Sequence, residues 1–169
     1  DPLADAMMTL VTRRDFLKAG LGGSVLLACA GCVTVAADDE AEMLAAVASA
    51  VLAGVLPASP VQRQAAIVET VVGVRRAIAG LSAAAQQEVG ELFTLLTLAP
   101  ARRLVAGVSS SWGSAGDEEV SNFLNRWRYS RFALLQGAYA ALHDLVLGAW
   151  YARPEAWPTI GYPGTPEIF

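Results

Sequence analysis

The sequence predicts an all-α fold, a compact bundle of about four to five helices. Beyond residue 37, apolar residues recur at intervals of three and four, without the strict alternation that indicates strands. Proline, glycine and serine fall between these periodic segments, as they do at helix boundaries. We therefore divide the chain into an N-terminal leader, residues 1–37, a helical bundle, residues 38–151, and an extended C-terminal tail, residues 152–169.

The first helix is expected from about Asp39 to Leu56, where Pro57 stops it. Acidic residues cluster at its start, which complements the positive end of the helix dipole. One face carries the apolar stripe Leu44, Val47, Val51 and Val55.

The second helix is expected to begin after Ser59, with Pro60 in the first helical position. Gln62 stands three residues after Ser59 and would complete a capping box. The buried stripe of this helix is predicted to be Ile67, Val71, Val74, Ile78 and Leu81.

Ser82 is the predicted N-cap of a third helix, and Pro100 marks the boundary after it. A short helix is expected over residues 101–108, followed by a serine- and glycine-rich loop. The buried face of the third helix is predicted to be Val89, Leu92, Phe93 and Leu96.

The last helix is predicted to be the longest, running from about Asp117 to Tyr151. Gly137 and Gly148 are positions where it could bend. Its inward residues are expected to be Val120, Leu124, Trp127, Leu134, Ala138, Leu142 and Leu145.

The N-terminal segment indicates an export signal of the twin-arginine type. Arg13 and Arg14 precede Phe16, Leu17 and Lys18, and an uncharged run follows directly. That pathway carries folded proteins, often with a cofactor or a partner already bound. The sequence therefore predicts a periplasmic protein.

The fate of the leader is left open by three features of the same run. Ala37 ends a Val-Ala-Ala pattern suited to an ordinary signal peptidase, while Cys29 and Cys32 each end a partial lipidation box. Residues 19–37 are also long enough for a retained membrane anchor, although their glycines and hydroxyl residues make a poor span. The protein is thus a candidate for membrane association, either through a retained leader or through an attached lipid.

Composition excludes some functions and favours others. The formal net charge of −4 argues against a nucleic-acid partner, whose phosphates need a basic surface. Hydrophobic residues make up 54% of the chain, which is high for a soluble domain and suggests an apolar contact with another protein.

The sequence shows no constellation of catalytic or metal-binding residues. His143 is the single histidine, and both cysteines lie in the leader, so no zinc ligand set is apparent. Ser109–Ser111 lacks the strand-turn-helix setting of a nucleophile elbow. We expect neither an active site nor a bound cofactor or metal. A remaining enzyme hypothesis would pair His143 with Asp144 or Glu119 in a cleft.

Arginine and aromatic residues near the C-terminus provide the candidate partner interface. Arg128 and Arg131 share a helix face in an aromatic-rich segment. Four prolines after residue 152 predict an extended tail that docks either on its own bundle or on a partner. The candidate interface residues are Trp127, Arg128, Arg131, Trp150, Tyr151, Trp157, Tyr162 and Pro163.

Four short pieces of the chain resemble a known family. They are residues 95–103, Phe123-Leu124-x-x-Trp127-Arg128-x-Ser130, residues 149–151 and residues 160–164. They look like the small twin-arginine-exported subunits that accompany flavin-dependent dehydrogenases of the glucose-methanol-choline type, similar to the small subunit of gluconate dehydrogenase. The likeness covers most of the chain after the leader.

The resemblance implies a non-catalytic subunit that binds, stabilises and co-exports a flavin-dependent dehydrogenase. FAD would be carried by the large partner subunit, and a cytochrome c subunit is a further candidate member of the complex. The alternative left open is a free-standing periplasmic or lipid-anchored protein that binds a small ligand in an apolar pocket of the bundle core.

Overall fold

The computed structural model describes residues 37–164, apart from the side chains of Ala37 and Thr159. Over this range the chain is helical and contains no strand, which confirms the all-α fold. The export signal at residues 13–18 and the candidate lipidation sites Cys29 and Cys32 lie outside the described residues, as do residues 165–169.

Five longer helices build the bundle, and short helical turns connect or follow them. The five are α1 (Ala37–Val51), α2 (Pro60–Ala79), α3 (Ala83–Thr97), α4 (Asp117–Arg128) and α5 (Ala133–Tyr151). Between α3 and α4 lie one α-helical turn, Ala99–Ala101, a π-helical turn, Arg102–Ala106, and a 3₁₀ turn, Trp112–Ser114. A 3₁₀ helix, Pro154–Ile160, follows α5.

The core lies where α1 meets α2, α4 and α5, and α2 packs along α5. Gly73 of α2 makes the α2–α5 approach possible, because a Cβ at this position would lie 3.0 Å from the Cβ of Ala149. Most of the predicted stripes are confirmed as buried, including Leu44 and Val47 of α1 and Val74 of α2. Leu81 is an exception, since it is 39% exposed.

Helix ends agree with the sequence at one cap and differ at two others. The hydroxyl of Ser82 accepts a hydrogen bond from Ala85 N at 3.3 Å, which confirms this N-cap. Ser59 precedes α2 as predicted, but its side chain makes no capping bond, so the capping box with Gln62 is wrong. Helix α1 ends at Val51 rather than near Leu56, and turns occupy residues 52–55.

The prediction of one helix from Asp117 to Tyr151 is wrong, because the helix is interrupted between Arg128 and Ala133. Ser130 stabilises the break. Its hydroxyl accepts from Phe132 N at 3.1 Å, and its carbonyl accepts from the Gln136 side chain at 2.6 Å. Such local bonds from serine compete with the helical pattern. Leu134, which was predicted to face inward, follows this break and is 49% exposed.

The prediction of an extended tail over residues 152–169 is also wrong over its described part. Pro154 begins a 3₁₀ helix in a position where the missing N–H costs nothing, and Pro158 lies inside it. The tail packs on its own bundle, since Ala156 is 2% exposed and Trp157 Nε1 donates to the carbonyl of Tyr151 at 2.9 Å.

Within residues 37–164, none of the helices combines the length and the hydrophobicity that a membrane crossing requires.

Candidate protein-binding surface

Two of the eight candidate interface residues belong to the core. Trp127 is 2% exposed and Trp150 is 5% exposed, so neither is available to a partner on this surface. Trp127 Nε1 donates to the carbonyl of Val105 at 3.1 Å, which satisfies the indole inside the fold. The assignment of these two residues to an interface is therefore wrong.

Trp127 belongs to a buried aromatic cluster that joins α4 to the segment before it. The ring of Phe123 lies 4.7 Å from Trp127 and 5.9 Å from Trp112, both in edge-to-face orientation. Trp112 Nε1 donates to the carbonyl of Leu96 at 2.8 Å, so the cluster also reaches the end of α3. We call these three rings the aromatic core cluster.

The chain becomes exposed directly after this cluster. We define the α4–α5 corner as Arg128, Tyr129, Arg131, Phe132 and Leu134. Tyr129 is 74% exposed and Phe132 is 52% exposed, and both arginines are exposed as well. The corner therefore presents large apolar side chains and positive charge to solvent within seven consecutive residues.

Arginine side chains lie over the rings of the corner. The guanidinium of Arg131 is 4.9 Å from the Phe132 ring centre, and that of Arg128 is 5.3 Å from Tyr129 and 5.9 Å from Tyr139 of α5. Stacking of this kind orders long side chains before any partner arrives. Both arginines predicted as interface residues are thus exposed and stacked on rings, although the helix face that they were predicted to share is interrupted after Arg128.

The remaining candidates lie at the other end of α5. Trp157 contacts Tyr162 edge to face at 5.2 Å, and Tyr151 is half-buried beside them. Pro163 is exposed. Helix α5 has 19 residues and so separates this tail surface from the α4–α5 corner by about 27 Å. The predicted interface residues therefore form two separate surfaces.

The π-helical turn Arg102–Ala106 lies against the last turn of α4, beside the corner. Besides the Trp127–Val105 hydrogen bond, the guanidinium of Arg126 donates to the carbonyl of Ala106. Leu104 projects from the turn and is 86% exposed. A short helix was predicted here, but the exposure of Leu104 was not. The available signal in the sequence is that Leu104 follows two arginines in a segment too short to bury every apolar residue.

Apolar side chains of α2 and α5 line an open groove of about 470 Å³. Val68, Val72 and Gly73 form one wall, and Ala149 and Ala152 form the other. Arg153 lies at the groove and makes an ion pair with Glu69. The alternative function called for an apolar pocket in the bundle core, whereas this groove lies on the surface.

The histidine and glutamate of the enzyme hypothesis have different surroundings. His143 stacks on Tyr139 with ring centres 5.4 Å apart, and its Nδ1 lies 3.1 Å from a carboxylate oxygen of Asp144. Glu119 lines a second groove, together with Gly107, Asn122 and Arg126. Among residues 37–164, no group of three or more histidine, cysteine or acidic residues is arranged to hold a metal ion.

Glu119 holds the loop before α4 in place. Its Oε1 accepts from Ser109 N at 2.7 Å, from the Ser109 hydroxyl at 3.0 Å and from Ser110 N at 3.4 Å. The backbone bond from Ser109 is the main cause that lowers the pKa of this carboxyl below its ordinary value. The hydrogen bonds of Glu119 therefore indicate that this residue has a structural role.

Comparisons with protein-family models, with curated proteins and with solved structures gave no match to this chain.

Proposed function

We propose that this protein is a non-catalytic small subunit that binds, stabilises and co-exports a flavin-dependent dehydrogenase to the periplasm. The observation that carries the proposal is the α4–α5 corner. Tyr129 and Phe132 are exposed there, although both are large enough to contribute strongly to a core. A helical domain that leaves two rings and two arginines uncovered at one place is suited to a protein partner.

The chemistry of the corner fits a protein interface. Aromatic residues and arginine are enriched in the centres of such interfaces and supply most of the binding free energy. Arg128 and Arg131 already lie over neighbouring rings, so little side-chain entropy is lost when the corner is covered. The protein would contribute shape and positive charge, and the partner would contribute a complementary apolar and acidic surface.

The kind of partner follows from the sequence. The twin-arginine pattern at Arg13 and Arg14 suits the export of a folded complex, and four pieces of the chain resemble small subunits of flavin-dependent dehydrogenases. On this proposal FAD is held by the large subunit, which oxidises a sugar, alcohol or acid. A cytochrome c subunit would accept the electrons in the same complex, and the leader or a lipid on it would supply any membrane attachment.

The test is to purify the tagged chain from the membrane and periplasmic fractions of its native host. We expect a co-purifying chain of dehydrogenase size and a flavin absorption spectrum. Replacing Tyr129→Ser together with Phe132→Ser should remove both, because it removes the exposed rings. The matched control replaces Val68→Ser together with Val72→Ser, which are 52% and 51% exposed on α2. A colourless chain that purifies alone in its wild-type form contradicts the proposal.

Export provides a second test. Replacing Arg13→Lys together with Arg14→Lys should leave both this chain and the flavoprotein in the cytoplasm, because the large subunit would rely on this leader. Fractionation with antibodies to both chains measures the outcome. The leader variant should still bind the flavoprotein in a cytoplasmic extract. If the flavoprotein reaches the periplasm in the variant strain, it does not depend on this chain for export.

The α2–α5 groove lies on the surface rather than in the bundle core, but its apolar walls favour a second candidate function, the binding of a small apolar ligand by a free-standing protein. Its walls are largely apolar and it contains the Arg153–Glu69 pair that could orient a polar group. This function requires a stable monomer that purifies without a partner and carries a bound small molecule. Replacing Val68→Asp together with Val72→Asp, two half-exposed residues of the groove wall, would then abolish ligand binding and leave a folded monomer.

A further inference from the structure

Arg102 is a buried arginine whose guanidinium lacks a partner. Its side chain begins the π-helical turn, and the residue is only 8% exposed. The Nε atom is inaccessible to solvent and makes no hydrogen bond. Within the described part of the chain, no carboxylate forms an ion pair with this guanidinium. Nε is thus a buried donor without an acceptor, while the two Nη atoms are not among the buried, unpartnered atoms and keep contact with solvent.

An arrangement of this kind is costly for an isolated domain. A buried N–H donor that has lost its water and gained no acceptor keeps the full desolvation penalty, so Nε of Arg102 lowers the stability of the free chain. Aliphatic residues of similar volume would suit the same position better. A residue that lowers the stability of the free chain in this way is expected where a second molecule supplies the missing acceptor.

The π-helical turn that begins at Arg102 exposes several of its side chains to solvent. Leu104 is 86% exposed and Val105 is 39% exposed, while Arg103 beside them is exposed to solvent. The turn is π-helical, an arrangement that occurs frequently at functional sites. It is also held firmly, because Trp127 and Arg126 of α4 donate hydrogen bonds to two of its carbonyls. An apolar tip and an unpaired cation therefore belong to one rigid turn.

We infer that the π-helical turn Arg102–Ala106 is a docking element for an acidic protein surface, where a partner carboxylate pairs with Arg102 and Leu104 enters an apolar pocket. That the partner is the flavoprotein rests on the proposed function. That the partner provides a carboxylate is inferred from Arg102 alone. Carboxylates match the planar fork of arginine with two parallel hydrogen bonds, which makes them the expected acceptor.

The first arm of the test uses the full chain purified without a partner. Arg102→Met keeps most of the side-chain volume and removes the charge, so we expect its melting temperature to rise by at least about 2 °C. Arg76→Met, on the exposed end of α2, makes the same change of charge and should leave the melting temperature nearly unchanged. A fall in melting temperature for Arg102→Met would show that the guanidinium serves the chain's own fold, and the inference would be wrong.

The second arm measures affinity for the co-purified flavoprotein. Arg102→Met should weaken binding by at least about tenfold, because the partner carboxylate loses its counter-charge. Leu104→Ser should weaken binding without changing the stability of the free chain, and Val61→Ser, which replaces an 80% exposed residue of α2, should change neither. Full binding by Arg102→Met and Leu104→Ser to a flavoprotein that does co-purify would overturn the inference and leave the proposed function standing.

The third arm distinguishes a protein carboxylate from a small anion. Sodium acetate and sodium sulfate are titrated into the free wild-type chain and the free Arg102→Met chain. We expect each salt to shift the melting temperatures of the two chains by the same amount, because any effect of the salt is then unspecific. Saturable stabilisation of the wild type alone would assign Arg102 to a free anion and overturn the docking role. If no flavoprotein co-purifies, the proposed function fails, and the first and third arms still decide whether Arg102 lacks an acceptor.

Discussion

Two aromatic regions lie next to each other in this protein and have opposite surroundings. The aromatic core cluster of Trp112, Phe123 and Trp127 is almost completely removed from solvent. Tyr129 follows Trp127 by two residues and is 74% exposed, at the start of the α4–α5 corner. Aromatic content alone therefore does not separate core from surface in this segment.

The difference arises from the end of α4. Helical geometry carries Val120, Phe123, Leu124 and Trp127 on one face toward α1 and the segment after α3. Past Arg128 the helix ends, and the hydrogen bonds of Ser130 replace the next turn. The residues that follow leave the buried face, and their rings stack with arginines instead of packing inside.

The largest effect is expected for the aromatic core cluster. Trp127→Ala should lower the free energy of unfolding by about 3 to 5 kcal/mol, because it empties a buried site between two helical segments and removes the hydrogen bond to Val105. Tyr129→Ala is the matched change on the exposed side and should alter stability by less than about 0.5 kcal/mol. Urea denaturation of both variants measures the comparison. Equal losses would mean that the corner is also packed.

A smaller effect is expected at Gly107, which ends the π-helical turn. Its φ is 61°, and a Cβ there would lie 2.5 Å from a guanidinium nitrogen of Arg126. Gly107→Ala should cost about 1 to 3 kcal/mol of stability, since it strains the backbone and displaces Arg126 from the carbonyl of Ala106.

Gly90→Ala provides the control for this substitution. Gly90 lies inside α3, and a Cβ at that position has no atom within 4 Å. Here alanine should raise stability by about 0.5 to 1 kcal/mol, because it favours the helix. Thermal melting of both variants is the measurement, and a neutral Gly107→Ala would indicate that the turn adapts easily.

The smallest effect is expected at Glu119. Its pKa is lowered in the folded state, so its contribution to stability is present above the ordinary value of 4.5 and is lost as the pH falls through the folded pKa. Glu119→Gln should therefore be less stable than the wild type at pH 7, by less than about 1 kcal/mol for such solvent-screened groups. The difference in the free energy of unfolding between the wild type and Glu119→Gln should become smaller below pH 4.5. Melting curves of both chains at several pH values measure this difference. If the difference did not change with pH, the charge of Glu119 would be excluded as its cause.

The fold class and most buried stripes could be predicted because helical periodicity is a local property. Leu44, Val74 and Phe93 recur at the expected spacing and are buried. The break after α4 could not be predicted, since periodicity continues through this segment and the hydroxyl and backbone carbonyl of one residue, Ser130, form the hydrogen bonds that replace a helical turn. The 3₁₀ helix at Pro154–Ile160 was missed because tertiary packing of Ala156 and Trp157 stabilises it.

The site was predictable only in part. Arg128 and Arg131 were recognised because arginine beside aromatic residues is a local pattern, and both are exposed. The predicted shared helix face is wrong, because α4 ends at Arg128 and Arg131 lies in the break before α5. Trp127 and Trp150 were misassigned, since the sequence does not say which tryptophans face the bundle. The unpaired state of Arg102 is a property of its three-dimensional surroundings, so periodicity and composition carry no signal of it.

The indole hydrogen bonds of the core have a consequence for the rate of complex formation. Trp112 fixes the end of α3 and Trp127 fixes the π-helical turn, so the segment between them is ordered before any encounter. A partner then meets a turn whose backbone is already formed and does not wait for a folding step. Association through this turn should accordingly proceed at the rate of rigid-body docking, within the range of about 10⁵ to 10⁷ M⁻¹s⁻¹ that such encounters show.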